Sequence, residues 1–453
     1  MGSVGRIGDD LVVRGPAPMQ IVRPDARSAR LVRVRVWLAS AMWFPVLAAN
    51  LIAIALGITL PFLDEILGDQ PRLPIALPAV ETLLGGLAAG MITFTGIVFS
   101  AVLVAAQLET TSYSPRLAAR LRRDPVAIAG LALPTATASY SLFALAAVGR
   151  QVNRSGEEIG SALTVGVALA LALVTFAGFI ALVQRTLDST QIGGIFRGIL
   201  RRTDHVIRDV HPIGAATGEL PPAASEGEAV VELPHPGPPG VLAAVDRTAL
   251  VRLARHSDAF VEVIPMVGHY ISPGTLTLRL HGAEGPPEEG LIRRVLVLAR
   301  QRTIDQDPAF GLRMLVDIAI RALSASINDP TTAVQALDRI ETILIELHRR
   351  QPGPVIIADP EGEPRGSFLA PTWEQYLGLG LTEIRQYGAS SVQVARRLRL
   401  VYEHLLEIVD ESQRARIELE QRLLDDQLAR NFPDRDEREI ASRPDPLGLG
   451  SAA

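Results

Sequence analysis

Residues 90–124 have the sequence GMITFTGIVFSAVLVAAQLETTSYSPRLAARLRRD, an apolar run that ends in a basic segment. No charged residue lies between Glu81 and Glu109. As a helix, rising about 1.5 Å per residue, this uncharged run would extend about 40 Å. The hydrocarbon core of a bilayer is about 30 Å thick, so the run predicts a transmembrane helix with some tilt.

Small and polar residues recur along this run at spacings of three, four and seven, which place their side chains on one face of a helix. They are Gly86, Gly90, Thr93, Gly96, Ser100 and Gln107. The face has two interpretations. It lines a water-filled pore in an oligomer, or it lets another helix approach closely, with its hydroxyls bonded to their own backbone.

Four runs without Asp, Glu, Arg or Lys are long enough to cross a bilayer: residues 36–63, 82–108, 126–149 and 159–184. Arginines cluster before the first run, between the second and third, and after the fourth, whereas the first connection holds only Arg72. Basic residues favour the cytoplasmic side. The sequence therefore predicts a multi-pass protein of the bacterial inner membrane, embedded in the lipid bilayer, with both termini in the cytoplasm.

The chain is predicted to combine an α-helical polytopic membrane domain of four transmembrane helices with a cytoplasmic α+β domain that is mostly helical towards the C-terminus. The predicted segments are a disordered tail (1–26), the membrane domain (27–203), a linker with one short strand (204–239), the α+β domain (240–432) and a second disordered tail (433–453). In the α+β domain, strands over 240–246 and 259–265 flank a helix. Further helices are predicted over 291–302, 309–323, 331–349, 373–386 and 391–429.

The composition excludes several kinds of chemistry. The chain has no cysteine and no lysine, so disulfides, thiol nucleophiles, Schiff-base lysines and Walker A lysines are excluded. Its 8 histidines show no metal-ligand spacing, and no catalytic motif is present. We therefore expect no enzymatic activity, no cofactor and no metal. With a net charge of −5 and no concentrated basic face, we also expect no nucleic-acid partner.

Two groups of polar residues in the C-terminal half are candidate contacts. Arg313, Asp317 and Arg321 have helical i, i+4 and i+8 spacing. They indicate either an ion ladder between helices or subunits, or a grip on an anionic ligand or lipid headgroup. Asn328 and Asp329 precede a proline, which is typical of a helix start. The alternative is that they contact a ligand or metal together with the carboxylates of residues 305–307.

Polar residues also occur in other spans. The third run contains Pro134, Thr135, Thr137, Ser139, Tyr140 and Ser141, and the first contains Asn50. These residues indicate either a kink beside a cavity or a helix–helix contact. No Asp, Glu, Arg or His lies inside any of the four runs. Coupled transporters usually need such a group near the middle of the membrane, whereas passive conduction does not.

Two segments together indicate a family. Residues 90–117 and 306–340, the latter QDPAFGLRMLVDIAIRALSASINDPTTAVQALDRI, resemble the bacterial predicted membrane-protein family called domain of unknown function 2254. The likeness extends from the first span to about residue 430. The resemblance implies an integral membrane protein with a cytoplasmic C-terminal domain, and it supplies no catalytic residue.

These observations lead to two functional hypotheses. The first is a homo-oligomeric, channel-like protein with its second span at the centre and a cytoplasmic domain that gates or assembles it. The second is a non-conducting scaffold or sensor, in which the spans only anchor and oligomerise the cytoplasmic domain. Neither hypothesis identifies a permeant ion or small-molecule ligand.

Overall fold

The computed structural model describes residues 19–22, 43–66, 76–112, 125–148, 162–189, 192–213, 217–218, 229–447 and 449. The chain forms two compact units. The membrane unit is Val34–Gly198, and the C-terminal unit is Ile199–Ala453 together with the N-terminal Met1–Arg33. The basic flanks before the first span and between the second and third spans lie outside the described residues, as do most of the predicted N-terminal tail and linker.

The described part of the membrane unit contains four long helices: α1 (Trp43–Ile66), α2 (Leu77–Ser112), α3 (Pro125–Val148) and α4 (Ala162–Ser189). Each is long and apolar enough to cross a membrane. The four predicted spans therefore correspond to four helices. Their ends differ from the predicted ones, because α2 and α4 continue past the charged residues that bound the apolar runs. Backbone hydrogen bonding does not stop at the first charged side chain, which can lie at the membrane interface.

Helix α3 is the centre of the membrane unit. It contacts α1, α2 and α4, and 56% of its apolar window is buried, against 17% to 22% for the other three. Glycines allow these close approaches. A Cβ at Gly57 of α1 would lie 2.8 Å from the Tyr140 carbonyl oxygen, and one at Gly130 would lie 2.8 Å from Leu182. Within one chain, the third span rather than the second is therefore central.

Helix α5 (Ile192–Val210) follows α4 after two residues and contains the boundary between the units. Its buried residues recur at helical spacing: Ile195, Phe196, Ile199, Thr203, Val206, Ile207 and Val210. Its exposed side holds Arg197, Arg201, His205 and Arg208. The linker predicted from residue 204 therefore begins too early, because residues 204–210 continue an amphipathic helix.

The described residues of the C-terminal unit form two sheets. Their strands are β1 (Met19–Val22), β2 (Thr217–Gly218), β3 (Val230–Pro234), β4 (Gly240–Val245), β5 (Phe260–Val263), β6 (Tyr270–Ile271), β7 (Leu276–His281), β8 (Leu296–Ala299), β9 (Val355–Ala358) and β10 (Pro364–Phe368). The larger sheet has the order β2-β1-β9-β10-β5-β7-β3, and the smaller one β6-β4-β8. Strand β1, which precedes the first span, pairs in parallel with β9.

Helices surround the sheets and dominate the second half of the unit. They are α6 (Arg247–His256), α7 (Glu289–Val295), α8 (Pro308–Ala322), α9 (Pro330–Arg350), α10 (Trp373–Gly388), α11 (Val392–Ile408), α12 (Glu411–Asn431) and α13 (Arg435–Ser442). Helix α8 approaches α5 closely at Gly311, where a Cβ would lie 2.0 Å from Thr203 Oγ1. The chain thus has four candidate membrane helices followed by a mostly helical unit with sheets, as the sequence predicted.

Three predictions about this unit are wrong in detail. The helix predicted over 291–302 ends at residue 295, and the next four residues form β8, which pairs with β4. An apolar run this short fits a strand or a helix equally well. The strand β1 lies in the predicted N-terminal tail. Helix α13 lies in the predicted C-terminal tail, where Asp434 caps it and Arg396 donates to the Ile440 carbonyl oxygen at 2.7 Å.

Candidate functional site

The small and polar face of α2 is exposed on the single chain. All six of its predicted residues are exposed: Gly86, Gly90, Thr93, Gly96, Ser100 and Gln107. The buried side of α2 consists of Leu77, Val80, Leu84, Ala88, Met91 and Val98. At 3.6 residues per turn, the two sets are centred roughly 180° apart around the helix. The face singled out in the sequence is therefore not the one that α2 uses to pack within its own chain.

Three glycines of α2 have open space beside them, as Gly166 of α4 also has, whereas three other glycines of the membrane unit lie in close helix contacts. A Cβ at Gly57, Gly130 or Gly178 would come within 2.8 Å of a neighbouring helix, which explains why those positions lack side chains. A Cβ at Gly86, Gly90 or Gly96 would meet nothing within 4 Å. Glycine inside a helix is less favourable than alanine by about 0.5–1 kcal/mol in water-soluble helices. Contacts within the described part of the chain do not account for Gly86, Gly90 and Gly96.

Beyond Glu81 and Thr82 near its start, α2 also exposes large apolar side chains. Ile92, Phe99 and Leu103 are 63%, 54% and 48% exposed and lie beside the small and polar face rather than in it. Two large residues lie within the face, Ile97 and Val104, which are 55% and 52% exposed. The surface of α2 thus has one sector suited to lipid tails and one that is small and polar, with apolar side chains towards the Gln107 end.

The hydroxyl groups on this face are satisfied by their own helix. Thr93 donates to the Ala89 carbonyl oxygen at 3.2 Å, and Ser100 donates to the Gly96 carbonyl oxygen at 2.9 Å. Such bonds let hydroxyls lie in an apolar environment, and each hydroxyl oxygen keeps a lone pair for water or a neighbour. The geometry is compatible with both interpretations of the face.

The polar centre of α3 forms helix–helix contacts within the chain. Asn50 of α1 donates to Thr135 Oγ1 at 2.9 Å and accepts from Ser139 Oγ at 2.8 Å. Thr137 and Thr175 of α4 are joined by a hydrogen bond of 2.8 Å. Tyr140 is fully buried, and its hydroxyl donates to the Thr164 carbonyl oxygen at 3.0 Å. Of the two interpretations of these residues, the contacts favour helix packing.

The charged group on α8 bridges two helices. Arg313 bonds to Asp317 at 2.8 Å on its own helix and to Glu383 on α10. The hydrogen bond to Glu383 raises the pKa of Arg313. Arg321, one turn beyond Asp317, is half-buried. Arg313 and Asp317 therefore form a contact between helices of one chain, and the ligand interpretation stays a prediction.

Asn328 and Asp329 form the start of α9. Asp329 accepts from the Thr332 backbone N–H at 3.1 Å and from its hydroxyl at 2.5 Å. Asn328 is exposed and has a φ of 49°, a left-handed conformation that asparagine tolerates. Both carboxylate oxygens of Asp329 thus stabilise the helix terminus.

The neighbouring carboxylate, Asp307, serves the same purpose at α8. It accepts from the Phe310 N–H at 3.0 Å and pairs with Arg302 at 2.5 Å. Burial raises its pKa, and the Arg302 hydrogen bond opposes that shift. Within the described residues, no group of three or more His, Asp or Glu side chains could hold a metal ion.

A buried polar cluster in the C-terminal unit was not predicted. His211 is fully buried at the end of α5, with its carbonyl oxygen accepting from Arg350 at 2.8 Å. Burial, together with the positive charges of Arg247 and Arg350, lowers its pKa to about 3. Arg247 itself donates to the Asp209 carbonyl oxygen at 3.2 Å. No spacing in the sequence reveals this cluster, because its members lie far apart in the chain. They come from α5 and the residue after it, from α6 and from α9.

Comparison with known proteins identifies the family. The family described as "Predicted membrane protein (DUF2254)" matches residues 39–404, which include all four spans and most of the C-terminal unit. The chain belongs to this DUF2254 family. The match confirms the resemblance stated from the two sequence segments.

Relatives of this DUF2254 chain occur in mycobacteria. The uncharacterized protein Mb1321c of Mycobacterium bovis is 30% identical over 375 residues, which cover 81% of this chain and 70% of that protein. The uncharacterized protein Rv1290c of Mycobacterium tuberculosis is similar to the same degree and over the same shares. No solved structure matches the chain.

Proposed function

We propose that this protein is a homo-oligomeric, channel-like membrane protein in which copies of α2 meet along their small and polar faces. One observation supports the proposal most strongly: this face lies opposite the side that packs within the chain, and a Cβ added at Gly86, Gly90 or Gly96 would meet no described residue within 4 Å. Lipid tails pack well against large apolar residues, whereas small residues let neighbouring helices approach closely. Because every copy of the chain carries the same face, a second copy can be its partner.

The chemistry of the face suits passive conduction. Thr93, Ser100 and Gln107 offer hydroxyl and amide groups to water along about 20 Å of helix. Ile97 and Val104 alternate with them, and rings of such side chains can close a pore by excluding water. Coupled transport is not proposed, because the apolar runs contain no Asp, Glu, Arg or His that could bind the coupled ion.

The proposed orientation has both termini in the cytoplasm. Strand β1 precedes the first span, yet it pairs with β9 of the C-terminal unit from residue 20 to residue 22. Segments that share a sheet lie on one side of the membrane, which supports an even number of spans between them. The arginines that flank the spans favour the cytoplasmic side.

A reporter fused after Ala453 tests this orientation. It should be active only in the cytoplasm, and activity in the periplasm would reverse the orientation.

The second candidate is a dry interface in a non-conducting scaffold. The bonds from Thr93 and Ser100 to their own backbone favour it, since neither hydroxyl requires water. In this case α2 would still join copies of the chain, and the C-terminal unit would be the functional part. Both candidates share the interface between copies of α2. Only the channel has water along that interface.

Ion flux into liposomes separates the two candidates. Purified protein is reconstituted, and flux is measured under applied voltage, membrane tension and changes of pH. We expect flux that Ser100→Leu abolishes, because it places a bulky apolar side chain on the proposed pore wall. Phe99→Leu is the matched control on the adjacent apolar sector and should leave flux unchanged. Absence of flux from the parent protein under all three conditions would reject the channel and leave the scaffold.

A further inference from the structure

The exposed side of α5 is basic, and its other side is fully occupied. Arg197, Arg201 and Arg208 are exposed, together with His205. The apolar residues of the opposite side, from Ile195 to Val210, are buried in the protein. Helix α5 therefore cannot insert an apolar face into lipid, as amphipathic surface helices do. What its exposed side offers to a partner is mainly positive charge.

Chain geometry keeps the start of α5 near the membrane. The apolar window of α4 ends at Arg185, and the helix itself ends at Ser189. Helix α5 begins at Ile192. Three residues of chain span at most about 10 Å, so the first turns of α5 lie close to the bilayer surface. Arginines placed there experience the potential of the lipid headgroups.

Among the described residues, Arg197 and Arg201 near the start of α5 have no carboxylate partners, whereas Arg202 and Arg208 do. Within the described part of the chain, Arg197 donates only to the Gly193 carbonyl oxygen of its own helix, at 3.3 Å, and Arg201 contacts no acidic side chain. By contrast, Arg208 pairs with Asp204 at 2.8 Å, and Arg202 approaches Asp305 at 3.9 Å. The uncompensated charge is thus concentrated at the end of α5 that is nearer to the membrane.

We propose that Arg197 and Arg201 bind the phosphate groups of anionic phospholipids in the adjacent leaflet. A guanidinium group matches phosphate geometry through paired N–H donors, and an anionic surface supplies the opposite charge. Because the binding is electrostatic and exposed, it weakens as the salt concentration rises. Anionic lipid thereby becomes a ligand of the helix that joins the last span to the C-terminal unit.

The test measures lipid binding by the full chain in detergent. Fluorescent phosphatidylglycerol and phosphatidylcholine are titrated separately into the parent protein and into the double variant Arg197→Gln/Arg201→Gln. We expect tighter binding of phosphatidylglycerol by the parent, and a loss of about fivefold for each arginine removed. Binding of phosphatidylcholine should not change, which shows that the variant is folded and retains its lipid-binding surface.

Two further variants make the result specific. Arg252→Gln is the matched control, because Arg252 is also exposed and donates at 3.3 Å to a carbonyl oxygen four residues earlier, Thr248, but lies on α6. It should bind like the parent. Arg197→Lys/Arg201→Lys keeps the charge and should retain the salt-sensitive preference for the anionic lipid. Equal binding of the two lipids by the parent, or unchanged binding by the double Gln variant, would overturn the proposal.

Discussion

Acidification should destabilise the C-terminal unit through His211. This residue is fully buried, and its pKa falls from 6.5 to about 3 because of burial and the charges of Arg247 and Arg350. The unfolded chain therefore binds a proton below pH 6.5 that the folded chain rejects until about pH 3. Stability should accordingly fall as the pH falls through this window. The slope is about 1.4 kcal/mol per pH unit, which gives a loss of about 2 kcal/mol at pH 5.

The assay uses a tryptophan inside the same unit. Trp373 is 1% exposed and donates from Nε1 to the Leu344 carbonyl oxygen at 3.0 Å, so its fluorescence reports packing of the unit. Replacing the other two tryptophans, Trp37 and Trp43, with phenylalanine isolates this signal. Denaturant unfolding is followed from pH 7 to pH 4 in this background, with and without His211→Gln.

The comparison between the two proteins isolates the histidine from the carboxylates that titrate in the same range. The background with His211 should lose about 1.4 kcal/mol more per pH unit than the His211→Gln variant, since glutamine does not titrate. At pH 7 the variant should be equally stable or less stable. Parallel pH dependences of the two proteins would refute the reasoning, because they would mean that His211 is protonated equally easily in both states.

Four substitutions test packing, each by the free energy of unfolding. Gly57→Ala should destabilise the membrane unit by about 1–3 kcal/mol, since its Cβ would meet backbone 2.8 Å away, whereas Gly86→Ala should change single-chain stability little. Gly311→Ala should destabilise the C-terminal unit by about 1–3 kcal/mol, because it would displace Thr203. Asn50→Leu should destabilise the membrane unit by about 0.6–2 kcal/mol through two lost interhelical bonds. Equal effects of Gly57→Ala and Gly86→Ala would contradict the packing described. So would an absence of any effect of Gly311→Ala or Asn50→Leu.

The four spans were predictable because membrane helices need long apolar runs, and this signal requires no tertiary information. The small and polar face of α2 was predictable for a similar reason, since helical spacing alone places its residues on one side of the helix. Which face of α2 packs within the chain was not predictable. Leu84, Met91 and Val98 are as apolar as lipid-facing residues, so composition does not distinguish a buried membrane face from an exposed one.

Errors in the C-terminal unit have identifiable physical causes. Strands β8 and β9 are four residues each, too short for periodicity to distinguish them from helix. The strand β1 is stabilised by a partner more than 300 residues away in the sequence, at Val355. The basic face of α5 had a detectable signal, because its arginines and apolar residues alternate at helical spacing.

The most direct test of the central claim uses the absence of cysteine from the chain. A single cysteine is introduced at Thr93 or Ser100 on the small and polar face, or at Phe99 or Leu103 on the apolar sector, and cross-linking is measured in native membranes. The account predicts covalent dimers for the first pair and few for the second, because copies of α2 meet along the small and polar face. Equal cross-linking at all four positions, or more at Phe99 and Leu103, would contradict it.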